Sequence, residues 1–458
     1  MSSSGQATAS ISGGWLDLGT LMGPDTVLYE PLTPGAELES IHSKDINPIT
    51  YFARLPVPLK STGQASQAQY QFAKTADFAG NTWFTFTTPD ILVNIADQAA
   101  YQIAYCPNLG HNVVNVVQLF VNEIPLVSFD SVTMDFFSEI NLGAGQYEGY
   151  MLGIGNTTKA LTFGSHLAPV EVRVPLHELF FCQKNRPSPQ DDFPLCAAKF
   201  NTLSLQINFI ESLASVIRVQ QNTAVSGAPV WTNISPNAVN LASIVTVAGS
   251  TGLSMPLPTV WCEYAVVLAP ERVAFQAAPI DLVIKQIQAF TGPKVLAGDT
   301  RQPFNFSYPT RYLTFGMRNA TATALNDYSN FSTNPAGDNL PPGLDPCRQV
   351  TLWYDNTPRI ANMPGSHFAF TETQFHAARI PAKPGVHLLA YCEDTTSSEI
   401  DGSTNYSKLS TDLEINVVEV STDNTDPTTA ACLYCMEIRS EVMNIIRFEA
   451  GVVAFPSF

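Results

Sequence analysis

Between Val170 and Phe209 the chain twice alternates apolar and polar residues with a period of two. Val170, Val172, Val174 and Leu176 alternate with Glu171, Arg173 and Pro175, and Leu203, Leu205, Ile207 and Phe209 alternate with Ser204, Gln206 and Asn208. That period sends one set of side chains to a core and the other away from it, so both runs predict strands. A Pro-Leu step into Phe180-Phe181 and a Pro-rich turn lie between them. The same reasoning predicts strands at Asn81 to Thr87 and Val113 to Val121; the second, apolar on both faces, reads as a central strand. Further strands are predicted at Leu282 to Phe290, Tyr312 to Met317, Val350 to Tyr354, Val386 to Tyr391, Leu413 to Val420 and Ile445 to Phe455. Val239 to Val247 adds a short one, and the alternation slips at Val417-Val418, which predicts a bulge. Asp130 to Ile140 has the helical period instead, with Asp130 as cap and Val132, Phe136 and Ile140 on one face. Many short strands between Pro- and Gly-rich turns predict an all-β chain of sandwiches or jelly rolls. At 458 residues the chain is long enough for two such units.

Charged residues are only 14% of the chain, well below the usual quarter, which favours a subunit that buries its surface in contacts. The net charge of −17 comes without any cluster of Lys or Arg, so direct contact with nucleic acid is not expected. No run of about 20 apolar residues predicts a membrane span. The opening MSSSGQATASISGG lacks the basic and apolar regions of a secretory leader, and a reducing compartment is expected. The eight cysteines are irregularly spaced, unlike a disulfide framework. Cys432 and Cys435 are three apart in what reads as a strand, Ala430 to Ile438, so their thiols point to opposite faces and are read as buried apolar groups.

No nucleophile elbow, phosphate loop, zinc-helix motif or dinucleotide fingerprint is present. A two-domain cupin would need two histidines one residue apart, then a Glu and a third His. The histidines at 42, 111, 166, 177, 367, 376 and 387 include no such pair, and His177 and Glu178 are adjacent, so in a strand they would diverge. The sequence therefore predicts no catalytic residues, no cofactor and no metal. A lectin-like double sandwich is the other alternative. Sequons at Asn156, Asn233, Asn305, Asn319, Asn330 and Asn405 are about what chance supplies in a chain so rich in Asn, Ser and Thr.

The Val170 to Phe209 stretch resembles the major capsid proteins of large icosahedral double-stranded DNA viruses, the iridovirus branch above all. Tyr51 to Leu59 (YFARLPVPL) is similar to the family's opening strand, and Trp261 to Phe275 (WCEYAVVLAPERVAF) to the strand, Glu-Arg turn and short helix joining its halves. Arg359 to Phe368 (RIANMPGSHF), Asp401 to Leu409 (DGSTNYSKL) and Asn444 to Phe458 (NIIRFEAGVVAFPSF) resemble signatures of its second half. Residues 141–168, 211–258 and 319–347 match nothing in that pattern. The resemblance implies a double jelly roll, its units side by side: an arm at 1–47 anchored by Trp15 and Leu16, a first unit at 48–270 and a second at 271–458. Pro270 would open the helix at the junction near Ala269 to Ala278, and Pro279 would stop it. It also implies a non-enzymatic shell protein: a homotrimer forming pseudo-hexagonal capsomers, in contact with neighbouring capsomers, minor capsid and scaffold proteins and, indirectly, an inner membrane. Such a protein is expected in the virion, assembled in host cytoplasm. The long, Pro- and Gly-rich segments 211–258 and 319–347 are expected to build the outer surface.

Overall fold

The computed structural model describes residues 55–74, 76–182, 192–224, 226–248, 252–266, 269–277, 279–334, 343–397, 401–408, 410–417 and 432–455. The expected arm, the Pro-rich turn at 183–191 and the bulge at Val417-Val418 lie wholly or partly outside these residues.

Residues 55–265 build two facing antiparallel sheets. One orders Leu55–Pro58, Thr259–Ala265, Phe78–Thr87 and Glu171–Pro175 side by side, with Phe193–Pro194 also pairing with Phe78–Thr87. The other orders Lys60–Gln64, Gln67–Gln71, Leu203–Phe209, Val114–Val121 and Ile124–Phe129. Register follows the predicted alternation: Val174 stands opposite Phe84 and Val172 opposite Phe86, all buried, while Glu171 and Arg173 face out. In the facing sheet Leu205 stands opposite Leu119 and Ile207 opposite Val117. Phe84 meets Phe209 edge to face across the sandwich, ring centroids 5.4 Å apart. Val114–Val121 does lie inside its sheet, but one face is buried and the other half-covered, with Asn115 exposed.

Residues 280–454 repeat the plan. One sheet runs Ile280–Val295, Tyr434–Glu449, Pro309–Asn319 and His387–Ala390, with Thr404–Asn405 and Val452–Ala454 at its margins. The other runs Gly298–Phe304, Thr411–Val417, Cys347–Tyr354 and Thr357–Pro364. Among the described residues no sheet mixes strands from before Ala265 with strands from after Ile280. The helix Ala269–Ala277 lies between the two sets.

Three expectations need correction. The run from Ile445 to Phe455 is not one strand. Tyr434–Glu449 turns back at Ala450-Gly451 and pairs with Val452–Ala454, both turn residues having positive φ (53° and 83°). That is the twist a two-residue hairpin needs, and an Ala-Gly pair advertises it weakly. Val239 to Val247 is mostly not strand: a short helix, Leu241–Ile244, precedes Val245–Val247. Third, residues 319–334 are largely buried and form no free outer loop. Asparagine side chains supply the bonds a ladder would have made. Asn319 Nδ2 donates to the Ser332 carbonyl at 3.0 Å, Asn330 Nδ2 to that of Asn334 at 3.0 Å, and Asn326 Nδ2 to those of Ala214 and Ile217 at 3.0 and 2.9 Å. The last pair joins this segment to the other long insertion. Segment 211–258 itself adds strands Ile217–Asn222 and Trp231–Ile234, in a small sheet with Tyr101–Tyr105.

Candidate functional site

The two sets of sheets meet along a seam, and its most telling element is the helix Ser131–Ile140. Asp130 holds extended backbone and accepts a hydrogen bond from the Thr133 N–H at 3.0 Å, capping the helix as its sequence predicts. Val132, Phe136 and Ile140, four residues apart, fall on one face. That face leaves the first half and packs on Tyr312, Phe331, Val386, Leu388 and Cys392 of the second. Phe136 and Phe331 lie 5.0 Å apart, centroid to centroid.

Charges fasten the rest of the helix. Arg439 forks onto Asp130 at 3.2 and 2.7 Å and also lies 3.0 Å from Glu437, which is fully buried. Burial pushes the Asp130 carboxyl upward, but the Arg439 guanidinium outweighs it and holds the group below the ordinary carboxylate range. Glu139 accepts from Arg379 at 2.6 Å, from the Ala382 N–H at 2.9 Å and from the Tyr147 hydroxyl at 2.6 Å. The Arg379 guanidinium lies over the Tyr147 ring, 3.5 Å from its centroid. Asp135 accepts from Asn108 at 2.7 Å and sits 2.7 Å from His111 Nδ1, while Lys383 reaches Asn108 at 3.0 Å.

The opposite end of the seam is made by strands. Ile284, Ile446, Phe448 and Val453 all belong to the core of the first half. Phe448 meets Phe193 edge to face at 5.4 Å, the Phe200 N–H donates to the Gly451 carbonyl at 2.9 Å, and Val453 N–H donates to Asn201 at 3.0 Å. Arg272, on the connecting helix, forks onto Asp77 at 2.6 and 2.8 Å. The halves are thus joined through both apolar and ionic contacts, whereas small polar interfaces allow hinging.

A cavity of about 60 Å3 remains in the seam, lined among others by Phe136, His177, Glu178, Lys285 and Tyr312. Burial pushes the Glu178 carboxyl up to about 8, and its Oε2 has no hydrogen-bond partner. Two lining residues also meet there, the Tyr312 hydroxyl donating to Glu441 at 2.8 Å.

His111, His166, His367, His376 and His387 each associate with an acid. His111 pairs with Asp135, His166 lies 2.5 Å from Asp90, and His367 and His376 lie 3.5 and 3.6 Å from Glu372. His177 and Glu178 sit in a turn, with only Glu178 fully buried; His42 is outside the described residues. His387 lies 2.8 Å from Asp345 and beside Cys347. All eight cysteines are buried, Cys432 and Cys435 included. Of the sequon residues, Asn319 and Asn330 are buried and spend their side chains on backbone carbonyls, so neither can carry a glycan in this fold.

Sequence reasoning found the helix and its cap but missed the seam partners Arg379, Lys383 and Arg439. One signal was readable: Glu437, Arg439 and Glu441 alternate along a strand that also carries Met436, Ile438, Val442 and Met443, and charges of alternating sign on one buried face imply mutual pairing. The Asp345, Cys347 and His387 grouping offers no such signal, because His387 lies 40 positions beyond Cys347.

Two sandwiches joined along a seam match what comparison with known proteins returns. Residues 40–265 fit the family model described as major capsid protein N-terminus, and residues 271–454 that of the large eukaryotic DNA virus major capsid protein. The chain is 26% identical to the major capsid protein of Costelytra zealandica iridescent virus, over 98% of this chain and 99% of that one. It is also 26% identical to that of Rana tigrina ranavirus, over 98% of each. Among solved structures, VP54 of PBCV-1, fitted into a reconstruction of the virophage Sputnik, superposes with a TM-score of 0.68 at 15% identity, over 89% of this chain and 97% of that one. The Faustovirus major capsid protein gives 0.65 at 10% identity, over 89% and 94%. These are double jelly rolls, and so is this fold. With both halves of the family's pattern matched in order, the chain belongs to the major capsid proteins of large eukaryotic DNA viruses, and its work in the virion is structural, not catalytic.

Proposed function

We propose that three copies of this chain form a pseudo-hexagonal capsomer, and that capsomers tile an icosahedral shell. The observation that carries the reading is the seam: it holds two similar sandwiches as one block, so a ring of three chains offers six near-equivalent sides. Large apolar side chains left exposed on a single chain support burial between copies; Phe375 is 73% exposed, Phe200 67% and Ile95 91%. Obligate interfaces of this sort bury thousands of Å2.

Within that reading, residues 1–47 form an arm that orders against neighbours, 48–270 and 271–458 form the two jelly-roll domains, and the helix Ala269–Ala277 is the link between them. Minor capsid and scaffold proteins contact the capsomers, an inner membrane lies beneath without being crossed, and assembly occurs in host cytoplasm. The charge of −17 sets the chain apart from the packaged nucleic acid. The turn around Gly227, exposed and with φ of +97°, faces outward.

Sedimentation of the purified, soluble protein at micromolar concentration tests the central statement. A trimer is expected, and concentrated samples should show hexagonal outlines in electron micrographs; a stable monomer overturns it. An epitope inserted at Gly227 should leave trimers intact and bind antibody on whole particles.

A further inference from the structure

We infer that Asp345, Cys347 and His387 form a zinc site that staples the two sheets of the second half together. The Cys347 thiol, one His387 ring nitrogen and an Asp345 carboxylate oxygen all lie within 4.8 Å of one another. Sulfur, imidazole and carboxylate together are a donor set that suits zinc, which accepts all three in a tetrahedron with bonds of about 2.0–2.3 Å.

The geometry around the three is built. His387 is fully buried, on the strand His387–Ala390, where it stands opposite Phe315. The Phe315 ring stacks on the imidazole at 5.1 Å and 13°, fixing its plane. Nδ1 faces the Phe315 carbonyl at 3.3 Å, which leaves Nε2 to point at Asp345 Oδ2, 2.8 Å away. That division of labour, one nitrogen anchored by a backbone carbonyl and the other presented, is how histidines are oriented toward metals. The other carboxylate oxygen, Oδ1, accepts the Cys347 N–H at 2.9 Å, so Asp345 is aimed as well. Cys347 is 4% exposed, and Gly365 closes over its backbone: a Cβ at Gly365 would stand 2.1 Å from the Cys347 carbonyl oxygen. Asp345 keeps 27% of its side chain exposed, which gives an entry path and room for water as a fourth ligand.

To seat the ion, Nε2 and Oδ2 need to part by about half an ångström. The ion enters as Zn2+ and leaves as Zn2+; the Cys347 proton and the one shared by His387 and Asp345 pass to water. Cys347 begins a strand of the four-stranded sheet and His387 lies in the facing six-stranded one, so the ion joins the two layers. This departs from the absence of metal that histidine spacing suggests. It is also distinct from a cupin centre, because a thiolate takes part.

The test uses the full chain, purified, stripped with a chelator and titrated with Zn2+ or Co2+ alone. One ion per chain is expected by elemental analysis, with a higher unfolding temperature in the loaded form. Co2+ should give a thiolate-to-metal charge-transfer band. Cys347→Ser should abolish that band, and Asp345→Asn should weaken Zn2+ binding by roughly tenfold or more. Should the variants fail to fold, X-ray absorption at the zinc edge of the unaltered protein decides: one sulfur among nitrogen and oxygen neighbours supports the site. No bound ion, a shell without sulfur, or undiminished binding in both Cys347→Ser and His387→Gln overturns it.

Discussion

Glu178 shows how one buried side chain can set a pH dependence for the whole subunit. Its carboxyl ionises near pH 4.5 in the unfolded chain and at about 8 in the fold, where burial disfavours the charge. A folded value raised in this way contributes stability that is fully present below about pH 4.5 and is lost as pH rises toward 8. Glutamine has no proton to lose. Glu178→Gln should therefore be more stable than the unaltered protein by on the order of 3 kcal/mol at pH 7, the gap closing toward pH 4.5. Thermal unfolding of both proteins across that range checks it; a gap independent of pH overturns it. Asp130 works in the opposite sense, because it both caps a helix and balances Arg439, which is 97% buried on its side chain. Asp130→Ala should cost about 3 kcal/mol, against the ~1 kcal/mol of an ordinary lost cap, and a denaturant titration distinguishes the two.

At the scale of elements, legibility followed the range of the interactions. The helix Ser131–Ile140 was readable because its cap and its apolar face are local; that Asp130 also meets Arg439, 309 residues away, was not. The strands at Glu171–Pro175 and Leu203–Phe209 were readable because each alternates buried apolar side chains with polar ones, exposed at Glu171 and Arg173 and half-covered at Gln206 and Asn208. Segment 319–347 was read as surface because it is long and rich in Pro and Gly, and nothing local tells that the asparagine amides of 319–334 satisfy buried carbonyls instead. The closing hairpin was misread because Ala450 occupies a left-handed position that favours Asn or Gly. Ala450→Gly should therefore stabilise the protein, by about 0.5–1 kcal/mol. Gly451→Ala should destabilise it by roughly 1–2 kcal/mol: its φ is +83°, and the added Cβ would meet the Phe200 ring at 2.9 Å. Unfolding midpoints of the two variants should move in opposite directions; a shared sign refutes the turn geometry.

For the whole molecule, 40 acidic against 23 basic residues mean that copies repel one another at long range. That repulsion reaches about 30 Å at 0.01 M salt and about 10 Å at 0.1 M. Association of the purified protein, followed by light scattering, should rise with ionic strength over that interval; a fall would show that attraction between opposite charges dominates the contacts. The seam has a further consequence, for the order in which the molecule is made. Ile446, Phe448 and Val453 belong to the first core, yet they are translated after every strand of the first half. Domains ordinarily fold as they leave the ribosome, the first one first. The first jelly roll is therefore expected to keep part of its interior uncovered until the strands Tyr434–Glu449 and Val452–Ala454 are made. A polypeptide interrupted before Tyr434 lacks the side chains that cover that part of the first core and is expected to expose apolar surface there.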